Sequence, residues 1–202
     1  MSHHHGHGPT AAEARQQLID GNQRFVASQG GKADLSQARR IDLSTNGQHP
    51  FAIVIGCSDS RAAVEHIFDV GLGDIFVVRT AGNVVDPIAV GSVEYAAEHL
   101  GCPLAVVLGH EKCGAVKATV DGGEAPGSIG SIVAKILPSV EKAKAAGASG
   151  NALYQQAEIE NVKAVVAELK KSAVLHHMIE HGELRIVGAK YELESGKVVF
   201  LD

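Results

Sequence analysis

The sequence predicts an α/β fold: a mainly parallel central sheet flanked by helices, with an extended N-terminal helix and a C-terminal strand pair. Three observations lead there. The short β-branched runs FAIVIG (51–56), IFVVRT (75–80) and LAVVLG (104–109) are of the kind that fill a parallel sheet covered on both faces. Segments of helical periodicity alternate with them, the pattern of parallel-sheet folds. Two closing runs, LRIVGAKYEL (184–193) and KVVFLD (197–202), are separated only by ESG and read as a hairpin.

Each element has its own local reason. Thr10 with Glu13 forms a capping box, and Leu18 and Phe25 follow at helical spacing, which predicts a first helix over about 10–28. A polar, Gly-containing link runs from there to about 49. Asp86 and Pro87 supply an N-cap and an N1 proline, and Gly101 a stop, so helix is predicted over 87–100. DGGEAPGSIG (121–130) reads as a loop. Ile129, Ile132, Val133, Ile136, Leu137 and Val140 then mark an amphipathic helix in which Pro138 is a candidate kink. Further helices are predicted over about 152–170 and 172–181.

The chain of 202 residues is long enough to bury one core, and residues 10–202 read as a single domain. A net charge of -5 without a Lys/Arg-rich block argues against nucleic acid or an anionic membrane as partner. The apolar runs are too short to span a bilayer, and no secretory leader is read, so a cytoplasmic location is expected. The His-rich opening, residues 1–9, reads as a disordered end or a tag and is given no catalytic role.

Cys57, Cys102 and Cys113 lack the spacing of a disulfide framework, which favours metal binding or catalysis. In an open parallel sheet, sites form beyond the carboxyl ends of the strands. Cys57 and His110 both fall there, and a helical turn beginning at His110 would aim Cys113 at the same point. Two thiolates and one imidazole suit zinc, and three protein ligands leave a fourth position open, where zinc lowers the pKa of bound water to about 7. Asp59 can orient that water or take the fourth position itself, and a charge-assisted bond from Arg61 would hold it away. Taken singly, each residue also has a bland reading: a buried thiol as core filler, Asp59 as a helix cap, Arg61 in a surface ion pair.

CSDSR, followed downstream by GHEKCGA, resembles the β-class carbonic anhydrases. The similarity extends through GNQRFV, IFVVRTAGNVV and SVEYAAEHLG and covers most of the chain from about residue 10. The resemblance implies zinc held by Cys57, His110 and Cys113, with Asp59 and Arg61 as the catalytic dyad. The implied activity is reversible hydration of CO2 to bicarbonate and a proton by zinc-bound hydroxide. Gln48 matches a substrate-binding glutamine, Phe76 and Tyr95 match aromatic pocket residues, and Ala81 stands where many members carry Val or Ile. Arg79 matches an arginine near the pocket. The resemblance also implies a homodimer or a dimer-based higher oligomer, with aromatic pocket residues drawn partly from the partner subunit. One subgroup has a tryptophan where this chain has Val54, and the sequence contains no Trp, which implies the subgroup with open, water-bearing zinc.

His49, His66 and His99 are candidate proton shuttles by type, though packing or exposure explains each as well. Cys102 reads as a packing residue, and His176, His177 and His181 as exposed or interfacial histidines rather than a second metal cluster. Rival functions are a hydrolase acting on COS or CS2 with the same ligands, a zinc protein without catalysis, and a redox-active Cys57–Cys113 pair.

Overall fold

A computed structural model describes residues 8–201; the His-rich opening up to His7 lies outside the described residues. Four parallel strands and one antiparallel edge strand make a single sheet, β1 (Ala52–Cys57), β2 (Ile75–Thr80), β3 (Leu104–His110), β4 (Arg185–Tyr191) and β5 (Val198–Phe200). Their order is β2-β1-β3-β4-β5, with β5 antiparallel to β4. The order reverses at β1, so β1 and β3 leave the sheet side by side at its carboxyl edge, where a crevice forms.

The helices are α1 (Ala11–Val26), α2 (Gln37–Asn46), α3 (Val64–Ile67), α4 (Pro87–Glu98), α5 (Gly114–Asp121), α6 (Ile129–Ala145), α7 (Gly150–Leu169) and α8 (Ala173–Glu180). Side-chain oxygens of Thr10, Ser36, Asp86 and Ser172 accept the otherwise unpaired N–H groups that open α1, α2, α4 and α8. The expected capping box at Thr10 and Glu13 is formed. α6 runs through Pro138 as one element, with Ile136 and Val140 buried on either side of it.

Alternation along the strands divides the core. Ile53, Ile55, Ala105, Val107 and Ile186 face α4, α7 and α8, packing on Val93, Val162, Val165, Leu169 and Leu175. Val54, Val106, Leu108, Val187 and Ala189 face the other way, onto Leu18 of α1 and Val64, Ile67 and Phe68 at α3. Period-two alternation therefore serves two apolar layers rather than one apolar and one wet face, which is why β1 and β3 are buried throughout. β2 has the same composition but is the edge strand, and Ile75, Phe76, Val77 and Val78 remain half-buried.

Two differences from the sequence reading matter. The link to residue 49 contains α2, which buries none of its residues. A short helix, α5, directly follows Cys113. No helix among the described residues is long and apolar enough to cross a membrane.

Candidate metal centre

Cys57 is the last residue of β1 and His110 the last of β3. The helical turn expected at His110 is absent: Glu111 and Lys112 form a tight turn, and the helix starts only at Gly114, with Cys113 as its N-cap. Lys112 adopts φ 53°, a left-handed conformation that costs a non-glycine residue about 1 kcal/mol or more. That turn, rather than helical spacing, returns the chain so that Cys113 faces His110. A Cys57 sulfur, a His110 ring nitrogen and the Cys113 sulfur all lie within 4.8 Å of one another, and all three residues are buried. Among the described residues no other group of His, Cys, Asp or Glu converges in this way.

The imidazole is oriented from behind. Nδ1 of His110 is 2.8 Å from the carbonyl of Glu111 and donates to it, which leaves Nε2 as the free lone pair. Nε2 is buried and makes no hydrogen bond, although Asp59 Oδ2 lies 3.8 Å away. A buried acceptor without a partner, facing two thiols, fits a soft or borderline cation and gives the donor set of a three-ligand zinc site.

The sulfur of Cys57 accepts from the backbone N–H of Gly82 at 3.2 Å and of Asp59 at 3.4 Å. Its ionisation is shifted well below the ordinary thiol range, chiefly because Cys113 donates to its sulfur, against the opposing effect of burial. Cys113, as the partner that keeps the proton, is pushed up, and burial adds to that rise. The pocket thus favours at least one thiolate before any cation arrives.

Asp59 is gripped by Arg61. Nε donates to Oδ1 at 2.9 Å, Nη2 to Oδ2 at 2.7 Å, and the Arg61 backbone N–H to Oδ1 at 2.9 Å. This two-pronged pairing holds the Asp59 carboxyl far below the usual carboxylate range, with burial opposing it. Arg79 braces the same loop from the β2 side, donating from Nε to the Cys57 carbonyl at 2.8 Å and from Nη2 to the Asp59 carbonyl at 2.8 Å.

The pocket residues expected from sequence fall into two groups. Ala81 follows Thr80, the register partner of Cys57, and so lies beside the ligand cluster of its own chain. Phe76 is opposite Ile53, four positions down β1 from Cys57, about 13 Å at ~3.3 Å per residue. Its ring is 6.3 Å from that of Tyr95, which is 48 % exposed, and Gln48 is exposed on the link before β1. One chain therefore does not bring Gln48, Phe76 and Tyr95 to its own cysteines. Val54 is fully buried beneath the sheet face that carries α1 and α3.

The sequence profile of the carbonic anhydrase family matches residues 52–198, which span every residue of the cluster and its braces. The chain belongs to the carbonic anhydrase family. A carbonic anhydrase of Mycolicibacterium smegmatis is 46% identical over 186 residues, covering 90% of this chain and 88% of that protein. Carbonic anhydrase 2 of Mycobacterium tuberculosis is 41% identical over 189 residues, covering 92% and 90%. The solved structure of the β-carbonic anhydrase CcaA superposes with a TM-score of 0.73 at 26% identity, covering 93% of this chain and 95% of that one. The sheet order, the flanking helices and the Cys-His-Cys cluster place the chain in the β class of carbonic anhydrases.

Within this carbonic anhydrase the remaining candidates behave as packing or surface groups. Cys102 is fully buried at the opposite end of β3 from His110, donates to the Pro50 carbonyl at 3.2 Å, and is pushed up to about 12 by burial. His49, His66 and His99 are exposed. His176 pairs with Glu180 at 3.3 Å, and the exposed His177 and His181 rings meet at a tilt, their centroids 4.1 Å apart, at the end of α8. Sequence reasoning missed Gly82, which donates to the Cys57 sulfur, Glu158, which accepts from the Cys113 N–H, and Asn161, which donates to the Gly82 carbonyl.

Proposed function

We propose that residues 10–202 act as one catalytic domain that interconverts CO2 with bicarbonate and a proton, with zinc held by Cys57, His110 and Cys113. The observation that carries this reading is the convergence of two buried thiols and an orphaned imidazole nitrogen beside a carboxylate that Arg61 holds ionised. Zinc in such a donor set supplies a Lewis acid that makes water nucleophilic near neutral pH. Asp59, anchored through both oxygens, offers a lone pair 3.8 Å from His110 Nε2 with which to orient a water at the cluster. Arg61 keeps that carboxylate from turning onto the cation, which leaves room for water and matches the open form of the site. The N–H groups of Gly82 and Asp59 stabilise charge on the Cys57 sulfur, and Ala81 leaves the pocket wall beside it small.

Gln48, Phe76 and Tyr95 serve the pocket of a second copy of the chain. Their placement on the exposed link, the half-buried edge strand and the exposed side of α4 supports a homodimer or a larger dimer-based assembly. In that arrangement Gln48 donates a hydrogen bond to the developing carboxylate, and the aromatic rings exclude water around CO2. A reducing, cytoplasmic setting suits the three free thiols. The deciding experiment is CO2 hydration with zinc content measured for wild type, Cys57→Ser and Asp59→Ala. Zinc-loaded wild-type protein that is inert over about pH 6 to 9 would sink the enzyme reading. Activity that falls with zinc content in Cys57→Ser, and with zinc retained in Asp59→Ala, is the expected result.

A further inference from the structure

α7 reaches Cys113 directly and Cys57 through the 81–83 turn, and it does so with polar residues that are themselves buried. Glu158 is 5 % exposed, and its Oε1 accepts from the backbone N–H of Cys113 at 3.3 Å. Its Oε2 lies 2.9 Å from Lys190 Nζ, an ion-pair contact without hydrogen-bond alignment. Asn161, 1 % exposed, donates from Nδ2 to the carbonyl of Gly82 at 2.8 Å. Gly82 in turn donates its N–H to the sulfur of Cys57. The two side chains are three positions apart, so they share one face of the helix.

The approach of α7 is built into the sheet. A Cβ on Gly109 would meet Val162 at 2.5 Å, and one on Gly188 would meet it at 2.8 Å. These glycines of β3 and β4 form a hollow that receives Val162. The helix turn carrying Glu158 and Asn161 is thereby set against the carboxyl ends of the strands. Lys190, the register partner of Gly109, arrives beside Glu158 from β4. Packing alone needs the glycines and Val162; it does not need a buried carboxylate aimed at the Cys113 backbone and a buried amide aimed at the turn whose Gly82 N–H meets the Cys57 sulfur.

We infer that Glu158 and Asn161 are paired positioning residues for the metal centre, one for each sulfur. Glu158 fixes the backbone of Cys113 and so the direction of its thiolate. Asn161 fixes the 81–83 turn, and through it the Gly82 N–H that stabilises the thiolate of Cys57. Lys190 supplies the countercharge that lets Glu158 remain buried. This assignment rests on the zinc reading above, and partners one shell removed from a metal typically set its affinity by about 10–100-fold.

The test compares two double variants, Glu158→Gln/Lys190→Met and Glu158→Leu/Lys190→Met. Both remove the buried ion pair together, a change that is often neutral for stability, and only the first keeps an acceptor for the Cys113 N–H. A cleft of about 440 Å3 lined by Lys112, Cys113, Lys117, Tyr154 and Glu158 gives either side chain room. Zinc affinity is read by chelator competition, and thiolate geometry by the sulfur-to-metal charge-transfer absorption of the cobalt(II) form. The Leu/Met variant is expected to bind zinc about 10–100-fold more weakly with a shifted cobalt spectrum, while the Gln/Met variant stays within a few-fold of wild type. Asn161→Asp, which keeps the shape and loses the donor, is expected to shift the spectrum as well. Leu175→Ala, a core truncation on α8, serves as the packing control, expected to lower the melting temperature and leave affinity and spectrum unchanged. A folded Leu/Met variant with wild-type zinc affinity and cobalt spectrum, beside a zinc-binding wild type, overturns the positioning roles alone. A wild-type chain that takes up no zinc overturns both this assignment and the zinc reading beneath it.

Discussion

Arg61 and Lys112 are joined across the cluster: the guanidinium Nη2 donates to the Lys112 carbonyl at 3.1 Å while it also holds Asp59 Oδ2. One side chain therefore ties the loop after β1 to the strained turn after β3. The carboxylate that faces the cysteines and the turn that aims Cys113 are set by the same group.

Arg61→Leu tests that coupling. The two thiols and the imidazole proposed to hold zinc remain, so zinc content is expected to stay stoichiometric, while CO2 hydration falls about 10–100-fold because Asp59 loses its anchor. Arg61→Lys is expected to recover only part of the rate, since an ammonium cannot make the two-pronged contact seen at Oδ1 and Oδ2. Zinc analysis beside stopped-flow hydration distinguishes this from simple metal loss. A full rate in Arg61→Leu would remove the anchoring role.

Stripping the metal should leave the fold standing. The two apolar layers of the sheet are complete without Cys57, His110 or Cys113, whose cluster lies at the carboxyl edge beside α5 and α6. Chelated protein is expected to keep its far-UV circular dichroism, unlike small domains that unfold without zinc. Its melting temperature should fall, because zinc at ~1,000-fold over its Kd adds about 4 kcal/mol of stability. Loss of helical signal on chelation would show that the core depends on the metal.

Acid stability should report on Asp69. Its buried side chain meets Arg24 Nε at 2.6 Å and accepts from the Gly31 N–H at 2.9 Å, which ties α1 to the residue following α3 and Phe68. Burial works to raise its pKa, but the Arg24 and Gly31 bonds win, so the folded value is lowered. A depressed carboxylate contributes stability that is fully present above the unfolded pKa of about 3.9 and is lost as pH falls through the folded value. Asp69→Asn is therefore expected to be less stable than wild type at neutral pH by about 1–3 kcal/mol. The gap should narrow below about pH 4. Denaturant melts at a series of pH values measure it, and a constant gap down to the acid transition would refute the linkage.

The proposed assembly has its own test. Ile88 is 80 % exposed and Tyr95 48 %, both on α4, and Tyr95 leans on the half-buried Phe76 of the edge strand. Tyr95→Glu is expected to shift the chain toward monomer in size-exclusion chromatography and to cut hydration severely with zinc retained. A monomer of full activity would mean that each chain completes its own pocket.

What the sequence disclosed follows from what leaves a periodic trace. β1, β3 and α4 were legible because burial forces β-branched runs, and because Asp86 and Pro87 mark a helix start. α2 was not, since it buries none of its residues and so leaves no apolar stripe; the Ser36 cap was its only signal. Within the site, Cys57, His110, Asp59 and Arg61 stood out as polar residues at the mouths of apolar strands. The route by which Cys113 joins them was misread, because a left-handed residue at Lys112 carries no composition cue when it is not glycine. Glu158 and Asn161 look like solvent-facing polar positions in a helix. The cue was their place between Ala157, Val162 and Val165, all of them buried, on the same face.

The contacts of α7 with Cys113 and the 81–83 turn also order events in time. Cys57 and His110 leave the ribosome with Asp59, Gly82 and Glu111, whose backbone groups hold them, whereas Glu158 trails Cys113 by 45 positions. At ~5–20 residues per second, that separation amounts to roughly 2–9 s of synthesis during which Cys113 lacks its Glu158 acceptor. A nascent chain cut short before α7 would hold all three donors yet lack both Glu158 and Asn161. On the positioning roles proposed for α7, firm metal capture comes late, once the helix has docked in the hollow that Gly109 of β3 and Gly188 of β4 provide.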